Sequence, residues 1–313
     1  MGATRQIGAN AKSVVRAARM GRTWMRAQRT ADPTERVRLL YDTIPSDYLF
    51  ADHSTYINYG YWDDGCTSLD DAGAALAGLL ADAAGFQPGD TVLDVGFGYG
   101  EQDVLWARKW QPGKIHGLNI TPNHVAVARQ RARTEQLEDV LDFREGSATS
   151  MPFGDATFDR VVALECAFHF NPRTDFFAEA FRVLRPGGVL AVADIVPRDG
   201  ATDRQGIKAP PLVWVVMSID DANWHTTDVY AQKLAATGFT DVTAQSIGDR
   251  TFEPWRKYIV RKLDDPAFQQ RVGPIYHRVL TRRWADQELL KQELGLLDYV
   301  VLVARKPPAA GSE

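Results

Sequence analysis

The spacing of hydrophobic residues divides the chain into two regions. Before residue 91 the spacing is helical: residues 34–50, and the segment that begins at Ser68, carry apolar positions about one helical turn apart. The apolar positions of the second helix are Leu69, Ala72, Leu76, Leu79, Leu80 and Ala83. Ser68 is a typical N-cap, and Gly85 followed by Pro88-Gly89 predicts the end of this helix.

After residue 91, short apolar runs alternate with helical stretches. The predicted strands are residues 91–95, 115–120, 141–145, 159–164, 189–195, 242–246 and 297–304. The predicted helices are residues 102–110, 122–135, 175–184, 226–237, 253–263 and 267–283. This alternation predicts an α/β fold, in which a doubly wound and mostly parallel sheet of seven strands has helices on both faces.

The length of 313 residues suits one large domain with additions. We expect residues 1–67 to form a helical arm and a cover over a ligand site, residues 68–305 the main domain, and residues 306–313 a tail. Two insertions are predicted within the main domain, a lid at about 199–225 and a helical insertion at about 252–290. The lid contains an apolar run at residues 210–217.

The N-terminal arm is strongly basic, since no acidic residue precedes Asp32. Its basic residues are Arg5, Lys12, Arg16, Arg19, Arg22, Arg26 and Arg29. Three interpretations stay open: a solvated helix or frayed arm, an arm packed on the lid or on a neighbouring subunit, and a transit or membrane-binding arm.

Composition and charge narrow the function classes. Hydrophobic residues make up 45% and charged residues 24%, as in ordinary globular proteins, and the net charge of −4 argues against a nucleic-acid binder. The two cysteines, Cys66 and Cys166, form no CxxC pair, so neither a zinc site nor a disulfide framework is indicated. No apolar run approaches the ~20 residues of a membrane helix. We expect a cytoplasmic protein, and a homo-oligomer on frequency alone.

Residues 93–100, which read LDVGFGYG, form the strongest local motif. They end a predicted strand and open a helix, which is where doubly wound sheets bind ligands. Glu101 stands where the dinucleotide pattern has its third glycine, and an acid there would repel a pyrophosphate. No Walker lysine follows. A nucleoside ligand without phosphates, such as S-adenosylmethionine, fits this loop; a simple strand-to-helix turn is the alternative.

Two further segments fit a nucleoside. Asn119 ends the second predicted strand, where an acid commonly accepts from ribose hydroxyls, and its amide oxygen can do the same without charge. The turn Gly146-Ser147-Ala148 would bring a hydroxyl and a backbone N–H near an adenine edge.

With these segments the chain resembles the class I S-adenosylmethionine-dependent methyltransferases over about residues 56–305. Within that class it is similar to the sugar O-methyltransferases of erythromycin-type macrolides. The residues that carry the resemblance are Tyr56-Ile57-Asn58, Gly60-Tyr61-Trp62, Asp94-Val95-Gly96-Phe97-Gly98, Gln102-Asp103, Thr121-Pro122, His124-Val125, Glu145-Gly146-Ser147-Ala148-Thr149, Phe158-Asp159-Arg160-Val161, Pro172-Arg173-Thr174-Asp175-Phe176-Phe177 and Glu253-Pro254-Trp255. The resemblance implies a Rossmann-like fold and S-adenosylmethionine as cofactor.

The glycine loop, the turn at residues 146–148 and the resemblance together predict a set of cofactor contacts. They are Tyr56, Asn58, Tyr61, Asp94, Gly96, Phe97, Gly98, Gly100, Gln102, Asn119, Ile120, His124, Ser147, Ala148 and Glu165. Asn119 and Ser147 stand where the broad family has acids. Aromatic packing is the alternative role for Tyr56, Asn58 and Tyr61, and helix capping is the alternative for His124.

His169 is the candidate general base, because histidine titrates near neutral pH and lies in the segment after the central strand. Asp194 closes the next strand and is expected to orient the imidazole, since similar natural-product enzymes have a His and an Asp at these positions. Glu165 is expected to contact cofactor or substrate. Structural roles are the alternative for all three. No metal is expected, because Asp194-Ile195-Val196 stands where metal-dependent enzymes have an Asp-Asn pair.

The acceptor is expected to be a small natural product, such as a glycosylated macrolide or polyketide, methylated on a hydroxyl. An apolar roof over it is predicted from residues 210–217 with Trp224, Phe252, Trp255, Tyr258 and Tyr276. One alternative is C-methylation of an isoprenoid or quinone-type precursor, with Glu165 stabilising a carbocation. A second alternative is a non-catalytic cofactor-binding scaffold.

Overall fold

The computed structural model describes residues 21–23, 25–27, 29–42, 50–201, 206–217 and 219–309. Residues 1–20 of the basic arm, and residues 43–49 of the helix predicted over 34–50, lie outside this set. The strands are β1 (Thr91–Val95), β2 (Lys114–Asn119), β3 (Leu141–Glu145), β4 (Phe158–Leu164), β5 (Leu184–Pro197), β6 (Thr240–Ser246) and β7 (Leu297–Arg305). The α-helices are α1 (Pro33–Asp42), α2 (Leu69–Ala84), α3 (Glu101–Lys109), α4 (Pro122–Thr134), α5 (Arg173–Val183), α6 (Pro210–Met217), α7 (Thr227–Thr237), α8 (Phe252–Leu263), α9 (Pro266–Val272), α10 (Pro274–Arg283) and α11 (Gln287–Leu294).

The seven strands form one sheet in the order β3-β2-β1-β4-β5-β7-β6. Neighbouring strands from β3 to β5 pair in parallel, whereas β7 runs antiparallel to both β5 and β6. The prediction of a doubly wound, mostly parallel seven-stranded sheet is therefore confirmed. The strand order reverses between β1 and β4, so the connections that leave these two strands turn to opposite faces and open a crevice at their carboxyl ends.

Side chains alternate between the two faces of the sheet with the period of two that strands impose. In β4, Val161 and Ala163 join the cluster that packs beneath α5 and α7, while Val162 and Leu164 join the cluster that packs beneath α2 and α3. Both faces are covered, which explains why the central strands read as nearly continuous apolar runs.

Local signals explain where several helices begin and end. Ser68 and Asp71 form a capping box at the start of α2, and Gly85 ends this helix in the left-handed conformation with φ of 66°. The single helix predicted over 267–283 is wrong, because Gly273, with φ of 79°, and Pro274 divide it into α9 and α10. The apolar run of the predicted lid is helix α6, and α11 was not predicted.

Candidate functional site

A cavity opens at the carboxyl ends of β1, β2 and β4, with about 960 Å³ of space not filled by atoms, its open mouth included. The main domain supplies its floor: the glycine loop after β1, the end of β2, the turn at 146–149 and the segment 164–171. Helix α1 and residues 55–58 line the cavity from the N-terminal side. The cavity thus lies at the topological switch point, as expected for ligand sites in doubly wound folds.

The glycine loop approaches its neighbours so closely that only glycine fits at Gly96. Gly96 has φ of 83°, and a Cβ built there would lie 2.5 Å from the Cys166 Sγ. The Gly96 N–H donates to the carbonyl of Leu118, which fixes the loop against the end of β2 (2.7 Å). Gly96 and Gly98 line the cavity with their backbones.

Gln102 on α3 faces the cavity and connects it with the buried carboxyl of Asp94 at the end of β1. The Gln102 Nε2 donates to Asp94 Oδ2 at 3.0 Å. Asp94 is fully buried and does not itself line the cavity, so any influence it has on a ligand passes through Gln102.

The end of β2 and the turn after β3 form the opposite wall. Asn119 lines the cavity, and its Oδ1 accepts from the backbone N–H of Thr121 at 2.9 Å. Ile120, Ser147 and Ala148 lie beside it on the same wall. The wall therefore offers amide, hydroxyl and backbone groups but no charge.

His124, on the first turn of α4, presents a buried imidazole to the cavity. Desolvation lowers the pKa of His124 to about 4, so the ring is neutral at physiological pH. The backbone of Tyr41 hydrogen-bonds to this imidazole, and within the described part of the chain no group bonds to its Nε2. One ring nitrogen of His124 is thus an unpaired polar atom at the cavity, where a ligand can satisfy it.

Glu165 follows β4 in the left-handed conformation, with φ of 52°, and lines the cavity. Its Oε2 accepts from the Tyr59 N–H and from the Tyr299 hydroxyl, both at 2.9 Å. Burial raises the pKa of Glu165 to about 8 against the effect of these two bonds. A strained backbone and a perturbed carboxyl at one position are typical of functional sites.

His169 also lines the cavity, in a short 3₁₀ turn after β4, and its ring is largely buried. The Tyr41 hydroxyl lies 2.9 Å from His169 Nε2, and the two rings meet edge to face with centroids 5.4 Å apart. Tyr41 also meets the ring of His124 edge to face (6.0 Å). Helix α1 therefore brings one side chain between the two histidines of the cavity.

Asp194 does not orient His169, which corrects the sequence prediction. Its Oδ1 accepts from the backbone N–H groups of Phe168 (3.1 Å) and Ile195 (3.0 Å). Its Oδ2 accepts from the Tyr230 hydroxyl (3.2 Å) and lies 3.3 Å from Arg173 Nη2. Asp194 is fully buried and acts on the turn that carries His169 rather than on the imidazole.

Several predicted cofactor contacts lie away from the cavity. Tyr56 packs against Gly73, Phe97 contacts the ring of Phe143, and Tyr61 packs on the core beside α2. Gly100 packs against Ala128 at the start of α3. For Tyr56 and Tyr61 the structure thus agrees with the alternative role, aromatic packing, because large aromatic side chains favour burial in the core.

The predicted apolar roof does not line this cavity either. None of its described side chains lines the cavity. Trp255 packs on Tyr59 (4.3 Å between centroids) and on Trp284 (5.0 Å), so the helical insertion covers residues 50–62 instead. Lining residues outside the predicted cofactor and catalytic sets include Thr34, Val37, Tyr41, Thr55, Ile57, Tyr99, Thr149, Cys166, Phe170 and Asn171.

Residues 50–62 are fixed by two carboxylates. Asp70 accepts from the backbone N–H groups of Asp52, His53 and Ser54. Glu101 accepts from the N–H and hydroxyl of Thr55 (2.7 and 2.8 Å) and pairs with Arg131 at 3.0 Å. Glu101 therefore anchors this segment to α3. This role was not predicted from the sequence, in which Glu101 is only a group that would repel a pyrophosphate.

The described part of the chain has neither a metal-ligating cluster nor a helix able to span a membrane. Its His, Cys, Asp and Glu side chains form no group of three or more that could hold a metal ion. None of its helices is both long and apolar enough to cross a membrane.

Comparisons with known proteins agree with this geometry. A family profile described as "Methyltransferase domain" matches residues 93–192. The chain is 44% identical to erythromycin 3''-O-methyltransferase from Saccharopolyspora erythraea, over 88% of this chain and 92% of that protein. It is 31% identical to 27-O-demethylrifamycin SV methyltransferase from Amycolatopsis mediterranei, over 80% of this chain and 90% of that protein. Among solved structures, the 4+2 cyclase SpnF is 26% identical with a TM-score of 0.65, covering 81% of this chain and 89% of that one.

Proposed function

Because the chain belongs to the S-adenosylmethionine-dependent methyltransferases, we propose that it methylates a hydroxyl on the sugar of a macrolide-type natural product, with His169 as general base. The identity of 44% to a macrolide sugar O-methyltransferase over most of both chains supports the acceptor class. The position of His169 on the cavity wall supports its role.

The polar groups of the cavity fit S-adenosylmethionine. The unpaired Nε2 of neutral His124 and the oxygens of Gln102, Asn119 and Glu165 are acceptors for an ammonium and for ribose hydroxyls. The backbones of Gly96 and Gly98, with Ser147 and Ala148, would complete the contact. When bound, S-adenosylmethionine supplies an electrophilic methyl group on a positively charged sulfur.

The contact between Tyr41 and His169 supports the assignment of His169 as the base. A tyrosine hydroxyl lies 2.9 Å from His169 Nε2, so this nitrogen can hold an alcohol at hydrogen-bonding distance once the acceptor displaces that hydroxyl. His169 would take the proton of the acceptor hydroxyl while the oxygen forms its bond to the methyl carbon and the carbon–sulfur bond breaks. General bases contribute roughly 10²–10⁴-fold to such steps. S-Adenosylhomocysteine and the methyl ether are the products, and the imidazolium returns its proton to solvent.

The charge of the cavity supports a neutral acceptor. Its lining contains no lysine and no arginine among the described residues. A phosphorylated acceptor would lose its hydration there without gaining a cation. A glycosylated macrolide needs hydroxyl and apolar contacts, which this lining provides. We also propose that α1 and residues 55–58 act as the cover that such an acceptor contacts.

C-methylation of an isoprenoid or quinone-type precursor is less well supported. That reaction would use Glu165 as an anion beside a carbocation. Burial raises the pKa of Glu165 to about 8, so most molecules carry it uncharged at neutral pH. A neutral carboxyl stabilises a cation poorly, which favours methyl transfer to oxygen over methyl transfer to carbon.

The experiment combines cofactor binding with turnover. Wild type, His169→Asn and the control His53→Asn, whose side chain is exposed, are titrated with S-adenosylhomocysteine and then assayed on macrolide glycosides. We expect equal binding in all three proteins and a turnover loss of roughly 10²–10⁴-fold in His169→Asn alone. NMR of the product separates an O-methyl from a C-methyl group. Full activity of His169→Asn, or a C-methyl product, would refute the proposal; binding without turnover of any glycoside would favour a scaffold.

A further inference from the structure

Two carboxyl groups lie side by side beneath the glycine loop, and neither contacts solvent. Asp94 ends β1 and Asp103 lies in the first turn of α3, and both are 0% exposed. Their side chains are within hydrogen-bonding reach of each other. The Oδ1 of Asp94 and both oxygens of Asp103 accept a hydrogen bond from no donor group within the described residues. Such a pair needs a proton between the two groups.

No cation in the described part of the chain compensates the pair directly. Arg131 on α4 acts on Asp103 from a distance, and its guanidinium is committed to Glu101 at 3.0 Å. The other titratable groups that face the pair are the Tyr56 hydroxyl and the Cys166 thiol, both uncharged because burial raises their pKa. Burial raises the pKa of both aspartates, and the charge of Asp94 raises that of Asp103 further. Asp103 therefore retains its proton.

We propose that Asp103 is a positioning residue of the cofactor site, which carries the shared proton of the Asp94–Asp103 pair and thereby holds Gln102 in the orientation that a ligand requires. A proton on Asp103 would let this residue donate to the Asp94 carboxyl, while Gln102 Nε2 donates to Asp94 Oδ2. With its amide nitrogen fixed in this way, Gln102 directs Oε1 to the cavity that it lines.

The charge of the pair favours the same role for Asp103. With one proton the pair carries a single negative charge near the ligand, which favours a cofactor that has an ammonium group. Loss of the proton would place two adjacent anions in a dry site, and Asp94 would repel Asp103 and release Gln102. Cofactor affinity should therefore depend on the proton of Asp103.

Isosteric substitution tests the role of that proton. Asp103→Asn keeps a donor to Asp94 but has no proton to lose, whereas Asp103→Ala removes the donor. S-Adenosylhomocysteine binding is measured by calorimetry from about pH 6 to about pH 10 for wild type and both variants, with circular dichroism to verify folding. Because Glu165 titrates in the same range, the series is repeated in a Glu165→Gln background.

We expect wild-type affinity to fall at the alkaline end more steeply than that of Asp103→Asn, by up to about tenfold per pH unit, because the ammonium of the ligand titrates in both proteins and Asp103 only in wild type. At neutral pH Asp103→Asn should bind within about threefold of wild type and Asp103→Ala at least about tenfold more weakly, the loss expected for a buried hydrogen bond to a charged group. The same alkaline decline in Asp103→Asn, or wild-type binding by folded Asp103→Ala, would overturn the proposal. Neither result depends on the acceptor or on His169.

Discussion

The Tyr41 hydroxyl and His169 Nε2 are 2.9 Å apart, although 128 positions separate these residues in sequence. Tyr41 belongs to α1 and His169 to the turn after β4. A hydroxyl of the chain itself thus occupies the nitrogen that we assign to the acceptor. An acceptor that reaches His169 must displace Tyr41, so this side chain is a competitor for the base.

Tyr41→Phe should therefore strengthen acceptor binding. The substitution removes the hydroxyl but keeps the ring and the backbone contact to His124. A net hydrogen bond is worth about 0.5–1.5 kcal/mol, so the acceptor KM should fall by roughly 2–12-fold. S-Adenosylhomocysteine affinity should stay within about twofold, since the hydroxyl that is removed contacts His169 rather than a predicted cofactor contact. Steady-state kinetics with calorimetry checks both values.

Glycine should be required at position 96 for steric reasons beyond its positive φ. Gly96 and Gly89 have φ of 83° and 87°, but a Cβ at Gly89 meets nothing within 4 Å, whereas at Gly96 it lies 2.5 Å from Cys166 Sγ. Gly89→Ala should cost about 1–2 kcal/mol of unfolding free energy from backbone strain alone. Gly96→Ala should cost more and weaken S-adenosylhomocysteine binding at least about tenfold. Equal losses in the two variants would show that strain alone explains them.

Much of the fold could be predicted because it depends on local periodicity. The strand predicted over 91–95 coincides with β1, and the capping residue Ser68 starts α2 as expected. The division of 267–283 at Gly273 was missed, because the helical period continues across the break and only the backbone conformation of one glycine reveals it. Boundaries of this kind depend on single residues rather than on patterns.

The candidate site was less predictable, because its decisive contacts join distant parts of the chain. Tyr41 carries no motif, and only the packing of α1 brings it to His169. Asp194 was paired with His169 on resemblance, but the buried guanidinium of Arg173 competes for the same carboxylate. Asp103 belongs to the Gln102-Asp103 motif, yet its burial follows from the packing of α3 against the sheet.

The Arg173–Asp194 pair should contribute strongly to stability. Arg173 is 1% exposed, donates to the carbonyl of Ala167 and lies over the Tyr230 ring at 4.4 Å. Arg173→Met should lower the free energy of unfolding by about 3–5 kcal/mol, because it leaves a buried carboxyl without its cation. Chemical denaturation measures this difference.

An exposed ion pair is the matched control for Arg173. Arg185 pairs with Asp159 at 2.6 Å on the surface, where Arg185→Met should change stability by no more than about 1 kcal/mol.

The double variant Arg173→Met/Asp194→Asn should lose less stability than the sum of its single variants, since both charges then leave the core. Additive losses would mean that the two residues do not stabilise each other.

Glu165 should make the cofactor-free protein less stable as the pH rises. Burial raises the pKa of Glu165 from 4.5 to about 8, so between these values the folded chain binds a proton that the unfolded chain has released. Its contribution to stability is complete below about pH 4.5 and disappears as the pH passes through about 8, by up to about 1.4 kcal/mol per pH unit.

Glu165→Gln cannot release this proton and should flatten the profile, whereas Glu138→Gln, at an exposed position, should reproduce the wild-type slope. Denaturant unfolding at several pH values measures the slopes; a Glu165→Gln profile as steep as that of wild type would assign the dependence to the other buried carboxyls, Asp94, Asp103 and Asp194.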